Sequence, residues 1–143
     1  MKKMSEAERK EFLLGHPHTA KLATVRPDGR PHVAPVWFDL DGDDIIFTTW
    51  HTTVKAVNLS HEPHVSICVD DEDFPYGFVL MDGIATISTD PVELLYWATR
   101  IAARYVGETL GGSYGKRNGV EGELLVRVKL EKSSLKMELQ NNN

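Results

Sequence analysis

The chain has 143 residues, 41% hydrophobic and 26% charged, a globular composition with room for one core. Its net charge of −5 argues against a general nucleic-acid binder, because phosphate contacts need clustered Lys and Arg. A single cysteine, Cys68, excludes an internal disulfide and fits a reducing compartment, and no apolar run approaches membrane-spanning length.

The N-terminus "MKKMSEAERKEF" lacks the apolar stretch of a secretory leader, so a cytoplasmic protein without membrane association is expected. "SEAERKEFLLG" opens with the capping-box pair Ser5 and Glu8 and closes on Gly15, which predicts a helix. "TAKLATV" alternates as a strand, "RPDGRP" is a turn, and "HVAPVWFDL" returns as the second strand of a hairpin. Pro35 inside that strand cannot donate to a ladder and marks an edge, a bulge or a kink. "DGDD" is a tight turn before a third strand, "IIFTTW", and a short helix follows around Thr53–Ser60.

"HVSICVD" reads as a fourth strand with Cys68 as a buried, inert thiol, and "DDEDFP" as a solvated acidic loop. "YGFVLMDGIATIS" is a long fifth strand in which Gly83 suggests a bulge or a barrel corner. The strongest helix signal is "DPVELLYWATRIAARYVG", with Asp90 as N-cap, Pro91 in the first turn and Gly107 as the stop. Val92, Leu95, Tyr96, Thr99, Ala102, Ala103 and Val106 form an apolar stripe predicted to pack on the sheet. "ETLGGSYGKRNGVEG" reads as a loop, "ELLVRVKLEKSSLKMEL" as a sixth strand, and "QNNN" as a frayed tail. About six strands with short connections and three helices predict a single β-rich α+β domain over residues 1–143, an antiparallel barrel with helices around it.

The motifs for chemistry are sparse. His16 and His18 flank Pro17, and His61 and His64 flank Glu62-Pro63; without a third ligand at suitable spacing these read as solvent-exposed turn histidines, not a metal site. "LGGSYGKRN" fails as a phosphate loop, since Leu110 stands where Gly is needed and Arg117 where Ser or Thr is needed. "GGSYG" lacks the strand–elbow–helix context of a nucleophilic serine. With no convincing nucleophile or acid–base pair, any enzymatic chemistry would belong to a bound cofactor.

"LATVRPDGRPHVAPVWFDLDGDDIIFTT", "VKAVNLSHEPHVSICVDDED" and "GIATIS" together resemble the pyridoxamine 5′-phosphate oxidase-like split-barrel flavoproteins. The likeness is greatest to the branch that holds the deazaflavin F420-dependent oxidoreductases and their FMN-binding relatives. The resemblance implies a six-stranded antiparallel split β-barrel that forms a homodimer, with two cofactors in clefts between subunits. It implies that the cofactor phosphate lies near the helix after the third strand, at Lys55 and Asn58, with Thr52 or Thr53 as hydroxyl donors and Thr48 and Thr49 close by. Many relatives carry an Arg at the position of Thr53, so one positive charge is missing here. The same resemblance places Pro35, Val36 and Trp37 beside the ring system.

The expected function is a hydride transfer between F420, slightly favoured, or FMN and a small conjugated organic acceptor. The alternative is a dimer that stores or carries a flavin or haem without turnover. A nucleic-acid partner is not expected. Nor is oxidation of pyridoxamine phosphate itself, because "LEKSSLKMELQNNN" lacks an arginine-rich substrate motif.

Overall fold

The computed structural model describes residues 2–140. The asparagines of the tail at 141–143 lie outside the described residues. The elements are β1 (Lys2–Lys3), α1 (Glu6–Leu14), β2 (Ala20–Val25), β3 (Pro31–Val36), β4 (Asp39–Asp41), β5 (Asp44–Trp50), α2 (Val54–Leu59), β6 (His64–Asp70), β7 (Phe78–Ser88), α3 (Pro91–Val106), α4 (Glu108–Asn118), β8 (Glu123–Leu130) and β9 (Lys136–Leu139). A 3₁₀ turn, Lys132–Ser134, separates β8 from β9.

Each strand forms where alternation and turn chemistry agree. β2 buries Ala20, Leu22 and Thr24 and turns Lys21, Ala23 and Val25 outward. The β2–β3 hairpin closes over Arg26–Arg30, with Gly29 at φ +88°. All pairings are antiparallel, in the order β3-β2-β6-β7-β8-β5-β4. The strands of six or more residues are β2, β3, β5, β6, β7 and β8, so the six-stranded antiparallel reading holds for the main ladder. The sheet curls into a half-barrel around Leu22, Phe38, Phe47, Val69, Met81 and Val126.

Several expectations are corrected. "HVAPVWFDL" is not one strand: β3 and β4 stand at opposite ends of the ladder, and the chain crosses the gap at Trp37 and Phe38. The sixth strand is two pieces, since β7 pairs with β9 through Phe78–Leu80 and with β8 through Gly83–Ser88. Gly83 makes no bulge, because its pairings with β6 and β8 run on unbroken. It allows a close approach instead: a Cβ there would lie 2.6 Å from Val128 Cγ1 and 2.7 Å from the Lys129 carbonyl oxygen. "ETLGGSYGKRN" is a helix, α4, packed on α3.

The two helices α3 and α4 explain a further error. α3 buries Leu94, Trp97, Ala98, Ile101 and Ala102, and Leu94, Trp97 and Ile101 pack on Ile46 and Leu125 of the sheet. Of the predicted stripe only Ala102 is buried, while Val92 is 79% exposed. Leu95, Thr99 and Ala103 face α4, where Gly119, Gly115 and Gly111 approach them. The stripe is therefore mostly a helix–helix face. Among the described residues no helix is long and apolar enough to cross a membrane.

Candidate functional site

β5 has two working faces. Ile45 and Phe47 enter the barrel core, while Ile46 packs under α3. By the same alternation Thr48 and Trp50 continue the α3 side past the end of the packed layer. There a cleft of about 350 Å³ opens. Its walls are Pro35, Val36 and Trp37 from the end of β3, Thr48, Thr49 and Trp50 from β5, Thr53 and Lys55 at the start of α2, and Ala98, Ile101 and Ala102 from α3. Asn118 and Glu123 complete it. The cleft thus sits at the open seam where the chain crosses between the two ends of the sheet.

Of the nine residues expected to face a cofactor, Pro35, Val36, Trp37, Thr48, Thr49, Thr53 and Lys55 come together here. Thr52 and Asn58 do not. They line a separate hollow with Arg26, Pro27, Asp28 and Arg30, and the buried Asn58 amide donates to Thr24 Oγ1 at 3.0 Å. That bond ties α2 to β2.

Thr53 is the N-cap of α2: its hydroxyl oxygen accepts from the Ala56 N–H at 3.2 Å. The same hydroxyl donates to the Trp50 carbonyl at 3.0 Å and lies 2.7 Å from Thr49 Oγ1. It is engaged by its own corner. Lys55, in the first turn of the same helix, brings the cationic side chain.

Trp37 stacks on Tyr105 of α3, with ring centroids 4.7 Å apart and planes 1° from parallel, and leans on Tyr114 of α4 at 6.4 Å. The Tyr105 hydroxyl donates to the His18 carbonyl at 2.7 Å and accepts from the Phe38 N–H at 3.1 Å. Burial pushes its pKa up. Trp37 is therefore not a core residue; it stands 37% exposed as a braced flat wall.

Sequence reasoning missed Glu123, the residue paired with Trp50 across β8 and β5. Its Oε2 is buried with no hydrogen-bond partner. Burial pushes the carboxyl pKa up, and the neighbouring charges of Lys55 and His51 pull against that. A second hollow of about 770 Å³, lined in part by His51, Pro91, Leu94 and Glu121, adjoins the first and shares Trp50 and Glu123 with it. Gly122 permits this corner, since at φ +99° it also leaves room for the Trp50 ring, 2.4 Å from where a Cβ would lie. In sequence "VEGELL" carried only a turn and a strand start.

The remaining candidates settle elsewhere. His18 is not a solvent-exposed turn residue; it stacks on Phe12 at 5.1 Å, is 10% exposed, and burial pushes its pKa down. Cys68 is half-buried on the outer face of the sheet, not enclosed, and burial pushes its thiol pKa up. Among the described residues no group of three or more His, Cys, Asp or Glu is placed to hold a metal.

The family model described as pyridoxamine 5′-phosphate oxidase matches residues 5–136. The chain belongs to that family. No curated protein sequence matches it. Among solved structures it is similar to an F420 reductase at 32% identity, with a TM-score of 0.67 over 84% of this chain and 91% of that one. It is also similar to the conserved hypothetical protein Rv2991 of Mycobacterium tuberculosis, at 28% identity, a TM-score of 0.77 and coverages of 90% and 81%. The haem storage protein HutZ of Vibrio cholerae shares the fold at 22% identity, with a TM-score of 0.73 over 98% of both chains. The half-barrel is thus the split barrel of this family.

Proposed function

We propose that the protein is a homodimeric oxidoreductase that binds a deazaflavin or a flavin, F420 or FMN, in the cleft between β5 and α3. It would reduce or oxidise a small conjugated organic molecule. The observation that carries the reading is the cleft itself. A flat aromatic wall at Trp37 and an apolar wall at Ala98, Ile101 and Ala102 suit a planar ring, and Lys55 at the α2 end suits a phosphate. Similarity to an F420 reductase supports the same choice.

When bound, the cofactor supplies the hydride chemistry. The chain's own part is placement. Tyr105 holds the Trp37 ring, Ala98, Ile101 and Ala102 keep water from the face of a bound ring, and Lys55 fixes the charged end. One cation faces the phosphate position among the described residues, so the fit is to a weakly held phosphate.

The dimer in this reading is supported by the family resemblance and by exposed apolar side chains. Val33, 66% exposed, and Leu80, 39% exposed, line an outer-face hollow with Ala23 and Cys68. The haem-carrier reading is less supported, since no His, Cys or Met among the described residues lines the cleft.

The test is titration of the purified protein with F420 and with FMN, followed by fluorescence quenching, alongside light scattering. Saturable binding and twice the chain mass are expected. Failure of both ligands to bind would end this reading. Oxidation of reduced F420 or FMN by α,β-unsaturated carbonyl compounds then separates an enzyme from a carrier.

A further inference from the structure

The charged side chains lining the cleft are Lys55 and Glu123. They oppose each other in sign, and no ion pair joins them among the described residues. A phosphate drawn to Lys55 therefore enters the field of a carboxylate as well. Glu123 is not a loose surface group. Its backbone is held in register with Trp50 on the β5–β8 ladder, and its Oε2 is enclosed without a hydrogen-bond donor. The carboxylate therefore lines the cleft with one of its oxygens shielded from water. Screening is weakest where solvent is excluded.

The groups that face Glu123 from neighbouring elements are few. Lys55 comes from α2, His51 from the turn after β5 and Glu121 from the turn before β8, with Asn118 at the end of α4. α3 presents apolar side chains. The cleft lining itself offers one cation, Lys55, and one anion, Glu123, and Glu121 adds a second anion across the adjoining hollow.

We infer that this cleft selects a cofactor whose phosphate carries a single charge, a phosphodiester, over a phosphomonoester dianion, and that Glu123 sets the preference. This deepens the proposed function and rests on it. The first negative charge of a phosphate is matched by Lys55. The second, which a monoester gains above its second pKa of about 6, meets no further cation among the described residues of this chain that line the cleft, and is repelled by Glu123. F420 carries a phosphodiester and FMN a monoester, so the inference favours F420. Binding of the monoester would be linked to protons, improving as pH falls, because a proton on either the phosphate or Glu123 removes the clash. Binding of a diester would respond less.

The experiment compares FMN with its methyl phosphodiester, which has the same ring and ribityl chain and one charge fewer. Both are titrated at pH 8 and low salt against wild type and Glu123→Gln, with F420 as the positive control. Wild type should bind the methyl ester roughly tenfold more tightly than FMN, one unit charge of repulsion in a partly screened site. In Glu123→Gln the gap should shrink to about threefold or less, chiefly through tighter FMN binding. Equal affinities in wild type would overturn the inference by themselves, whether or not the variant folds. A gap that persists in a folded Glu123→Gln would overturn the role of Glu123. If F420 and both flavins fail to bind, the cofactor reading falls and takes this inference with it. If they bind without discrimination, only this inference falls.

Discussion

Trp37 and Tyr105 stack face to face, 4.7 Å between centroids and 1° from parallel, across the seam where β3 ends and α3 passes. The tyrosine does two separable things. Its ring backs the tryptophan that walls the cleft, and its hydroxyl satisfies the Phe38 N–H and the His18 carbonyl. Tyr105→Phe keeps the ring and strands the two backbone groups. It should lower stability by about 1–3 kcal/mol in urea unfolding and leave cofactor affinity within about twofold. Tyr105→Ala removes the backing too, should cost about 3 kcal/mol, and should weaken cofactor binding as well. Equal affinities for wild type and Tyr105→Ala would show that the braced wall does not hold the ring.

Two glycines of α4 should respond in opposite directions to the same substitution. A Cβ added at Gly112 would meet nothing within 4 Å, so Gly112→Ala should gain about 0.5–1 kcal/mol from helix propensity and backbone entropy. Gly115 sits against α3, where a Cβ would lie 2.2 Å from Thr99 Oγ1 and 2.7 Å from its Cα. Gly115→Ala should destabilise by about 1–3 kcal/mol despite the same propensity gain, because the two helices must move apart. Thermal melts of both variants decide it. A stabilised Gly115→Ala would mean the helices are not packed this closely.

Asp43 joins α1 to the chain's far end. It accepts from the buried Arg9 at 3.0 Å and lies 3.6 Å from Lys10 and 3.4 Å from Lys132. Burial pushes its pKa up, but Lys132, Arg9 and Lys10 outweigh that and hold it below the ordinary carboxylate range. A depressed folded-state pKa means stability that is present above the unfolded value of about 4 and is lost as pH falls through the folded one. Wild type should therefore exceed Asp43→Asn in urea midpoint at pH 7, and the difference should shrink below about pH 4. A constant gap from neutral pH down to about pH 3 would show that the charge on Asp43 contributes nothing.

What could be read from sequence follows the range of the physics. The Ser5–Glu8 capping box and the Asp90 cap with Pro91 depend on residues within one turn, and both form as expected. α4 was illegible because its glycines weaken a helix locally, and their reason, close approach to Ala103 and Thr99, belongs to another element. α3 has apolar residues on two sides because it has two partners, so periodicity alone chose the α4 side over the sheet side. Leu94, 3% exposed, is the residue whose truncation to alanine should cost about 2–5 kcal/mol, and Leu95, 42% exposed, should cost less. Glu123 matters through Trp50, a partner far earlier in the chain that only strand pairing reveals. Asn58 shows the converse: the motif was visible, while its bond to Thr24 was not.

Lys55 and Thr53 make the last test, because the corner they share separates charge from architecture. Lys55→Ala removes the one cation lining the cleft among the described residues, at a helix position that tolerates alanine. Cofactor affinity should fall about ten- to a hundredfold, the loss of about 1.5–3 kcal/mol from one charge-assisted contact, with the melting temperature little changed. Wild-type binding should weaken as salt rises, and the mutant should respond less. Thr53→Arg adds a second cation at this corner, but it also deletes a cap whose hydroxyl serves Ala56, Trp50 and Thr49. It should bind the cofactor more tightly while losing about 0.5–2 kcal/mol of stability. Isothermal titration at two salt concentrations, paired with urea unfolding, reads both effects. If Lys55→Ala binds as well as wild type, the phosphate lies elsewhere; the hollow of Arg26, Arg30 and Thr52 then becomes the place to look.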